Sequence, residues 1–444
     1  MTKTDEVQEN SPSGDVVEEI RRWLKENWDP DLTVAEWWER LGLAGWSAPS
    51  LPTHAYGREL SRTDANAVAR EIAAFGALGA PGGLGLLLAA PTIATHGTRD
   101  QIDHYVRDIV TGQAGWCQLF SEPGAGSDLA GLSTRAFLDG EEWVINGQKV
   151  WTSLGQVADL GMLLARTDPE VPKHQGISWM VLDMRQPGVE VRPLTEMTGN
   201  AMFNEVFITD ARVPVADVIG GVNNGWAVAN STLAFERAGL GSGGGGAAGS
   251  AATPGTIAGH LGRRAGDFVL ARRRAGPGSD EGPILQPVGP QMLVALARER
   301  GRDQDPVIRQ GLAKLYILGE LGRFNTERLR AARSAGRDIP GLPNIAKLSM
   351  SEMMRLSRDV GMAIAGSAGM LHAYRPEDRG PLEGLPDADM IEAVTGIALY
   401  AQAPPIYGGT DQIQKNIIGE RVLGLPKEPN NDRTAKFSEL PKNG

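Results

Sequence analysis

The sequence predicts a multidomain protein of the α+β class, in which the domains follow the order α, β, α. Two observations predict this order. Apolar residues recur at helical spacing from about Val16 to residue 114, and again from Ala227 to about residue 425. Between these regions, residues 115–215 carry turn signals every few residues and short strand-like runs. A length of 444 residues accommodates two or three such domains.

The first region is predicted to be helical throughout residues 15–114. Either Thr63 or Asp64 is expected to cap one of its helices, because both side chains accept hydrogen bonds from first-turn N–H groups. Residues 1–14 are polar and acidic, and we expect a disordered tail and not a signal peptide. The helical patterns cover Ala35–Arg40, Thr63–Phe75 and Asp100–Ile109.

The most distinctive stretch of the middle region begins with the loop SEPGAGS at Ser121–Ser127. Pro123 fixes one φ angle, while Gly124 and Gly126 permit backbone angles and close approaches that a Cβ atom would prevent. A loop of this composition lets backbone N–H groups come close to a flat or anionic ligand.

Two turn dipeptides follow this loop, Asp139–Gly140 and Asn146–Gly147. They alternate with strand-like runs, so we expect a β-meander that ends at Trp151-Thr-Ser153. Later runs of the same kind extend this region into a β-barrel or a sandwich. The runs are Trp143–Ile145, Lys149–Trp151, Ile177–Leu182 and Val189–Val191.

A tract rich in glycine, residues 239–283, interrupts the C-terminal helical region. Its composition is typical of a flexible loop. It follows Phe235-Glu236-Arg237 directly, however, and the alternative is a loop that shapes a site.

A sharp loop near the end of the chain, Tyr407–Gly409, leads into a final helix capped by Thr410 or Asp411. We expect Ile413 and Ile417 to face the core, and Gly424 with Pro426 to end the helix. The free N–H groups at the start of such a helix attract anions.

The composition excludes several classes of protein. The net charge is −10, whereas nucleic-acid-binding and membrane-surface proteins are usually basic. Cys117 is the one cysteine, which rules out an intramolecular disulfide and favours a small buried apolar side chain over a nucleophile. No apolar run of about 18 residues predicts a membrane span. We therefore expect a cytoplasmic protein without a metal site.

Taken together, these residues resemble the acyl-CoA dehydrogenase family over about residues 15–430. Three segments carry the resemblance: LFSEPGAGSDLAGL with NGQKVWTS, then FNEVFITDARVPVADVIGGVNNGW, then GGTDQIQKNIIGERVLGLP. The resemblance implies an N-terminal α-helical domain, a middle β-barrel domain and a C-terminal four-helix bundle. The domains expected are 15–114, 115–215 and 216–430, with the glycine-rich insertion at about 239–283 and tails at 1–14 and 431–444.

The resemblance also implies a bound FAD, held between the β-domain and the C-terminal bundle. Trp151 would stack on the flavin ring and Ser153 would hydrogen-bond near its N5 atom. Gly126 and Ser127 would lie at the pyrophosphate and at the mouth of the acyl-CoA site. The remaining residues expected at FAD are Gln118, Phe120, Ser121, Thr410 and Gln412, and those expected at the substrate are Ser127, Arg237, Tyr407 and Gly408.

The reaction that the resemblance implies is α,β-dehydrogenation of an acyl-CoA thioester, in which a carboxylate removes the α proton and a hydride passes to flavin N5. Many family members carry this base as Tyr-Glu-Gly-Thr. This chain has Gly408 at that position, so the base is expected at Glu236, in the Glu-Arg pair that some members use.

Two family motifs that complete the cofactor site from a neighbouring subunit are altered in this chain. Arg298, Arg300 and Arg302 are candidates for the pyrophosphate, and the alternative is an exposed arginine cluster. Such departures resemble actinobacterial members that act on steroid side chains, some of them heterotetramers. A homo- or hetero-oligomer, dimer or tetramer, is therefore expected, with an electron-transferring flavoprotein or similar acceptor.

Two other functions remain open at this point. One is a flavin oxidase or a monooxygenase-like relative on the same fold, and the other is a non-catalytic subunit of a heteromeric acyl-CoA dehydrogenase. A bulky acyl group, such as a steroid side chain, is a hypothesis suggested by the glycine-rich tract after Glu236.

Overall fold

The computed structural model describes residues 14–240, 260–269, 289–429, 432 and 434–441. The N-terminal region is helical, as predicted. Four tryptophans lie around its first two helices, in the same apolar cluster as Ile20, Leu24 and Ile72. They are Trp23, Trp28, Trp37 and Trp46. The helices are α1 (Gly14–Asn27), α2 (Val34–Leu43), α3 (Arg62–Phe75), α4 (Ala90–His96), α5 (Arg99–Gln101) and α6 (Arg107–Val110), with π-helical turns at Gly85–Ala89 and Ile102–Val106.

The residue that caps α3 differs from the prediction. The hydroxyl of Ser61 accepts a hydrogen bond from the backbone N–H of Asp64, so Ser61 is the N-cap and Thr63 and Asp64 lie in the first helical turn. The prediction was wrong by two or three positions because several residues in this segment are able to cap a helix.

The middle region forms one eight-stranded sheet in the order β6-β7-β3-β2-β4-β5-β8, with β1 pairing in parallel with β4. Within the described residues, no ladder joins β6 to β8, so backbone pairing gives an open path and not the closed ring of the predicted barrel. The strands are β1 (Trp116–Leu119), β2 (Arg135–Asp139), β3 (Glu142–Ser153), β4 (Leu160–Arg166), β5 (Ile177–Asp183), β6 (Val189–Leu194), β7 (Phe203–Pro214) and β8 (Val218–Ile219).

Side chains of this sheet alternate between two apolar clusters. On β4, Met162 and Leu164 pack with the N-terminal helices, while Leu163 and Ala165 pack on the opposite face of the sheet. This two-residue period buries both faces, which explains why β4 and β5 read as almost continuous apolar runs.

One of the two predicted turns is absent. Asp139–Gly140 does join β2 to β3, and Gly140 has a φ of +67°. Asn146–Gly147, in contrast, lies inside β3 at an irregularity in its pairing with β7. A Cβ atom on Gly147 would stand 2.3 Å from the Thr134 hydroxyl, so glycine is required here by a close approach and not by a turn.

The long helix α7 (Gly225–Leu240) follows the sheet and packs on the N-terminal helices. Most of the glycine-rich insertion lies outside the described residues. Its middle part, residues 260–269, packs on the N-terminal region through backbone hydrogen bonds, from Val34 N–H to Arg263 O at 2.8 Å and from Ala265 N–H to Leu32 O at 2.8 Å. At least this part of the insertion is therefore anchored.

The C-terminal region is helical, and its apolar core includes Leu293, Leu315, Val360 and Ile391. Its arrangement as a four-helix bundle remains a prediction. The helices are α8 (Pro290–Glu299), α9 (Pro306–Ser334), α10 (Leu342–Ala365), α11 (Gly380–Glu383), α12 (Ala388–Tyr400) and α13 (Asp411–Ile417), the last continued by a π-helical turn at Ile418–Val422.

Two compact units divide the chain. Among the described residues, the first contains 14–194, 202–240, 260–269, 432 and 434–441, and the second contains 195–201 and 289–429. The three predicted domains therefore distribute over two units, with α7 in the first. Across the described part of both units, no helix combines the length and apolar character needed to cross a membrane.

Candidate functional site

The SEPGAGS motif begins a longer loop, Ser121–Thr134, which we call the SEPGAGS loop, and a buried ion pair fixes the start of this loop. The Glu122 carboxylate accepts a hydrogen bond from the Lys149 ammonium at 2.8 Å, and the two side chains are 5% and 0% exposed. Glu122 also accepts from the backbone N–H groups of Ser133 at 2.6 Å and Thr134 at 2.9 Å. One carboxylate thus joins the start of the loop, its end and the strand β3.

Burial and charge act in opposite directions on this pair. Burial alone would raise the pKa of Glu122, but the Lys149 ammonium and the N–H donors lower that pKa to about 2. Lys149 also donates to the carbonyl of Phe120 at 3.2 Å. Because each charge is surrounded by partners, the loop has little freedom to rearrange at neutral pH.

Two further cations hold the second half of the loop. Arg166 donates to the carbonyls of Ala130 at 2.6 Å and Leu132 at 3.2 Å. Lys173 donates to both carboxylate oxygens of Asp128, at 3.0 and 2.8 Å. The second half of the loop, from Asp128 to Thr134, is therefore held by polar contacts to Glu122, Arg166 and Lys173.

The tip of the loop stays open. Gly126 and Ser127 are exposed, and a Cβ atom on Gly126 would meet no protein atom within 4 Å. Neither Gly124 nor Gly126 has a positive φ, so of the two properties predicted for these glycines, unusual backbone angles and close approach, the loop does not use the first. Open space beside Gly126 is what a closely approaching ligand needs.

Trp151 lies beside this loop on a bulge of β3. The register against β7 shifts between Lys149 and Thr152, and Trp151 adopts a φ of +63°. Its side chain is 61% exposed and meets Phe203 edge to face with centroids 5.9 Å apart. The bulge turns a large ring outward, where a flat partner can stack on it.

Backbone contacts join the bulge to the loop. Val150 N–H donates to the carbonyl of Ser121 at 3.0 Å, one residue before Trp151. Ser153 ends the strand, half-buried, two residues after the ring. Phe120 is buried and Ser121 half-buried, so the structure brings four predicted site residues into one neighbourhood.

Strand β1 supplies Gln118, which is half-buried and pairs with Met162. Its neighbour Cys117 is fully buried, and burial raises the pKa of the thiol to about 12. A thiol in this state is not a nucleophile, and the prediction of a buried apolar role for Cys117 is confirmed.

Helix α7 carries Glu236, which is half-buried. The neighbouring side chains of Leu233 and Phe235 pack against the same apolar cluster that contains Phe120 and Ala125 of the loop. Two polar contacts fix the helix against α4: Thr92 with Thr232 at 3.0 Å, and His96 with Ser231 at 2.8 Å. For Arg237 the structure describes only the helical backbone position.

The remaining predicted residues lie in the second unit, around the start of α13. Thr410 caps this helix by accepting from Ile413 N–H at 3.1 Å, as predicted, and Gln412 is exposed. Gly408 has a φ of +62°, and its carbonyl accepts from the Gln414 amide at 2.9 Å. The Tyr407 hydroxyl lies 3.0 Å from that of Tyr400.

Three charged residues that the sequence analysis singled out in the second unit have ion-pair partners: Arg300, Arg302 and Asp411. Asp411 is paired with Lys347 and Arg355, so it does not act as the cap. Arg300 binds the buried carboxylate of Asp387, and Arg302 binds Asp305. The buried partner of Arg300 weighs against the pyrophosphate interpretation of that residue, whereas the pair of Arg302 with Asp305 lies nearer the surface and does not decide its role.

The sequence reasoning missed the buried polar contacts that position the site. Glu122 and Lys149 both lie in the segments that carried the resemblance, and their opposite charges were the available signal. Thr92 and Thr232 gave no comparable signal, since threonine is common on exposed surfaces and only the fold brings these two together.

Models of three acyl-CoA dehydrogenase domains match the chain: the N-terminal domain over residues 14–113, the middle domain over 117–211 and the C-terminal domain over 291–423. Among curated proteins, the acyl-CoA dehydrogenase IpdE1 of Mycobacterium tuberculosis is 35% identical over 88% of this chain and 88% of its own. IpdE1 of Mycolicibacterium smegmatis is 32% identical, over 92% of this chain and 97% of its own.

Solved structures agree at the level of the fold. The ChsE4-ChsE5 complex from Mycobacterium tuberculosis matches with a TM-score of 0.61 and 25% identity, over 96% of this chain and 100% of that one. The Tcur3481-Tcur3483 steroid acyl-CoA dehydrogenase matches with a TM-score of 0.64 and 24% identity, over 93% and 97%. The chain is therefore an enzyme of the acyl-CoA dehydrogenase family, of the type found in actinobacteria.

Proposed function

We propose that this chain catalyses the FAD-dependent α,β-dehydrogenation of an acyl-CoA thioester, with Glu236 as the base. One observation supports the proposal: Val150 N–H donates to the Ser121 carbonyl, which joins the strand bearing the exposed Trp151 ring to the start of a loop whose tip is open. This pairing offers a flat aromatic surface and a polar, sterically open loop for one extended ligand.

The residues of the first unit fit the cofactor that the family implies. Trp151 would stack on the ring system, with Ser153 and Ser121 as hydroxyl partners at its polar edge, while Gln118 and Phe120 line the approach. The open position at Gly126 would admit a phosphate. In the second unit, Thr410 and Gln412 are the proposed contacts. When bound, FAD supplies the acceptor for the two electrons and the β hydrogen.

Glu236 suits the proposed role because it is half-buried on a helix fixed by packing. Removal of an α proton requires a carboxylate positioned near the substrate, and Leu233 and Phe235 of the same helix pack against the cluster that contains Phe120 and Ala125 of the loop. The other position that the family uses for the base is Gly408, which cannot accept a proton. Ser127, Arg237, Tyr407 and Gly408 remain the proposed substrate contacts.

The substitution Glu236→Gln tests the proposal while it preserves the shape of the side chain. We expect kcat to fall by about 10²–10⁴-fold, with FAD still bound, because a positioned base contributes that much. The readout is bleaching of the flavin band by acyl-CoA under anaerobic conditions. Glu141→Gln, at an exposed position of the first unit, is the matched control. Near-normal turnover in the flavin-loaded Glu236→Gln variant would refute the assignment.

The acyl group is proposed to be bulky, of the size of a steroid side chain. The support is the small side chains of the tract that follows Glu236, most of which lies outside the described residues. A panel of straight, branched and steroidal acyl-CoA thioesters tests this idea, and we expect the highest kcat/KM for the bulky members. Preference for short straight chains would refute it.

The electron acceptor and the assembly are also open to experiment. We propose an electron-transferring flavoprotein as acceptor, and an oligomer built either from identical subunits or with a second type of subunit. The mixed assembly draws support from ChsE4 and ChsE5, which form a complex with each other. Reduced enzyme that is reoxidised faster by the flavoprotein than by oxygen would support dehydrogenation over oxidase chemistry. Colourless protein after purification of this chain alone would support a mixed assembly.

A further inference from the structure

The C-terminal segment, defined as Asp432 and residues 434–441, lies on the part of the first unit that fixes the SEPGAGS loop. Phe437 N–H donates to the carbonyl of Val171 at 3.0 Å, and Ser438 N–H donates to that of Pro169 at 2.9 Å. The segment thus runs along residues 169–172, which connect Arg166 to Lys173 in the chain.

Two side chains of the segment contact the two cations that hold the second half of the loop. The Phe437 ring lies over the Arg166 guanidinium, 3.7 Å from the ring centroid. The Asp432 carboxylate accepts from the Lys173 ammonium at 2.8 Å. Arg166 in turn binds the carbonyls of Ala130 and Leu132, and Lys173 binds Asp128.

These contacts matter because the two cations are removed from water. Arg166 is 3% exposed, and burial lowers the pKa of its guanidinium to about 10. An aromatic face compensates part of this lost hydration. The Lys173 side chain is 7% exposed and is shared between Asp128 and Asp432. The segment therefore completes the surroundings of both cations.

We propose that the C-terminal segment positions the SEPGAGS loop for ligand binding, with Phe437 acting through Arg166 and Asp432 acting through Lys173. Both are positioning residues, since their side chains contact the cations, which in turn bind the loop. The consequence is a loop tip held ready for the anionic groups of the cofactor and of acyl-CoA. This inference rests on the proposed function for its ligands, but its structural part is independent of any ligand.

Amide hydrogen exchange of the full chain tests the structural part. In Phe437→Ala we expect exchange of residues 128–132 to accelerate by about 10-fold, the size expected for loss of a desolvated cation–π contact. Exchange in the β2–β3 hairpin should stay unchanged. Phe437→Tyr keeps the ring and should restore protection. Lys436 lies in the same segment and forms an exposed ion pair with Glu170. Lys436→Gln removes this ion pair and serves as the matched control.

Kinetics test the functional part. Phe437→Ala should raise KM for acyl-CoA several-fold and leave kcat within about twofold, because the base and the flavin stack are untouched. Asp432→Asn, a milder change, should raise exchange and KM in the same direction, and it decides the question if Phe437→Ala fails to fold.

Three outcomes overturn the inference: unchanged exchange at 128–132, acceleration that extends equally into the hairpin, or faster exchange with an unchanged KM. Failure of the proposed function has a different signature. A wild-type chain that binds neither FAD nor acyl-CoA would refute the dehydrogenase, while exchange in the same variants would still decide whether the segment positions the loop.

Discussion

Glu122 and Lys149 show how single residues fix the backbone of this site. A buried ion pair stabilises a fold only when both charges are matched, since removal of one partner leaves the other desolvated and alone. Here three donors to Glu122, the N–H groups of Ser133 and Thr134 and the Ser133 hydroxyl, and one acceptor for Lys149, the Phe120 carbonyl, complete the pair. The pair therefore specifies the loop conformation more than it adds to overall stability.

At the residue scale, Glu122→Gln should therefore lower the free energy of unfolding by about 3 kcal/mol, because it leaves the Lys149 ammonium buried without a counter-charge. Chemical denaturation measures the change. The double variant Glu122→Gln/Lys149→Met removes both charges and should recover much of the loss. Equal instability of the single and double variants would show that the pairing of the charges is not the cause.

The same pair predicts that the free energy of unfolding depends on pH in the acid range. Glu122 has a folded-state pKa of about 2, below its ordinary value of 4.5, so its contribution to stability is complete above about pH 4.5 and is lost as the pH falls toward 2. We expect the wild type to lose more stability than the double variant over this range. Thermal unfolding of both proteins at a series of pH values is the measurement, and parallel curves would contradict the prediction.

At the scale of elements, α7 is placed by hydroxyl contacts within an apolar setting. Thr92 and Thr232 are fully buried, and their mutual hydrogen bond lies one helical turn before Glu236. Because the two residues belong to helices far apart in the chain, this contact fixes both the rotation and the axial position of α7.

We expect Thr232→Val to destabilise the protein by about 1–3 kcal/mol, because it leaves the buried hydroxyl of Thr92 without its hydrogen-bond partner at position 232. Thr92→Val/Thr232→Val should be closer to wild type. Thr95→Val, on the exposed side of α4, is a suitable control. Thermal unfolding reports stability, and the kcat of each variant reports whether the base has moved. A single variant as stable as the double would argue against the contact.

At the scale of the whole molecule, a ligand that binds only the folded chain must stabilise it by mass action. If FAD is the cofactor, its addition at about 100 times Kd should stabilise the flavin-free chain by about 2.7 kcal/mol. The melting temperature should then rise with FAD concentration and fall when FAD is removed. Riboflavin, which lacks the pyrophosphate, should act more weakly. No shift at saturating FAD would contradict the cofactor assignment.

The sequence predicted the α, β, α order and the family, because periodicity and long motifs can be recognised without knowledge of tertiary contacts. It failed where the outcome depends on partners distant in the chain. Asn146–Gly147 suggested a turn, but Thr134 and β7 make it the interior of a strand. The docking of residues 260–269 and of Phe437 likewise depends on surfaces that exist only after folding.

The left-handed backbone at Trp151 implies a trade-off between activity and stability. A bulky residue with a φ of +63° costs about 1–2 kcal/mol, and a ring that is 61% exposed gains little from burial in return. Selection for folding alone would favour glycine at this position. We therefore expect Trp151→Gly to unfold within about 1 kcal/mol of the wild type although it loses a tryptophan, while its affinity for FAD falls. The proposed stacking of FAD on this ring would account for the cost.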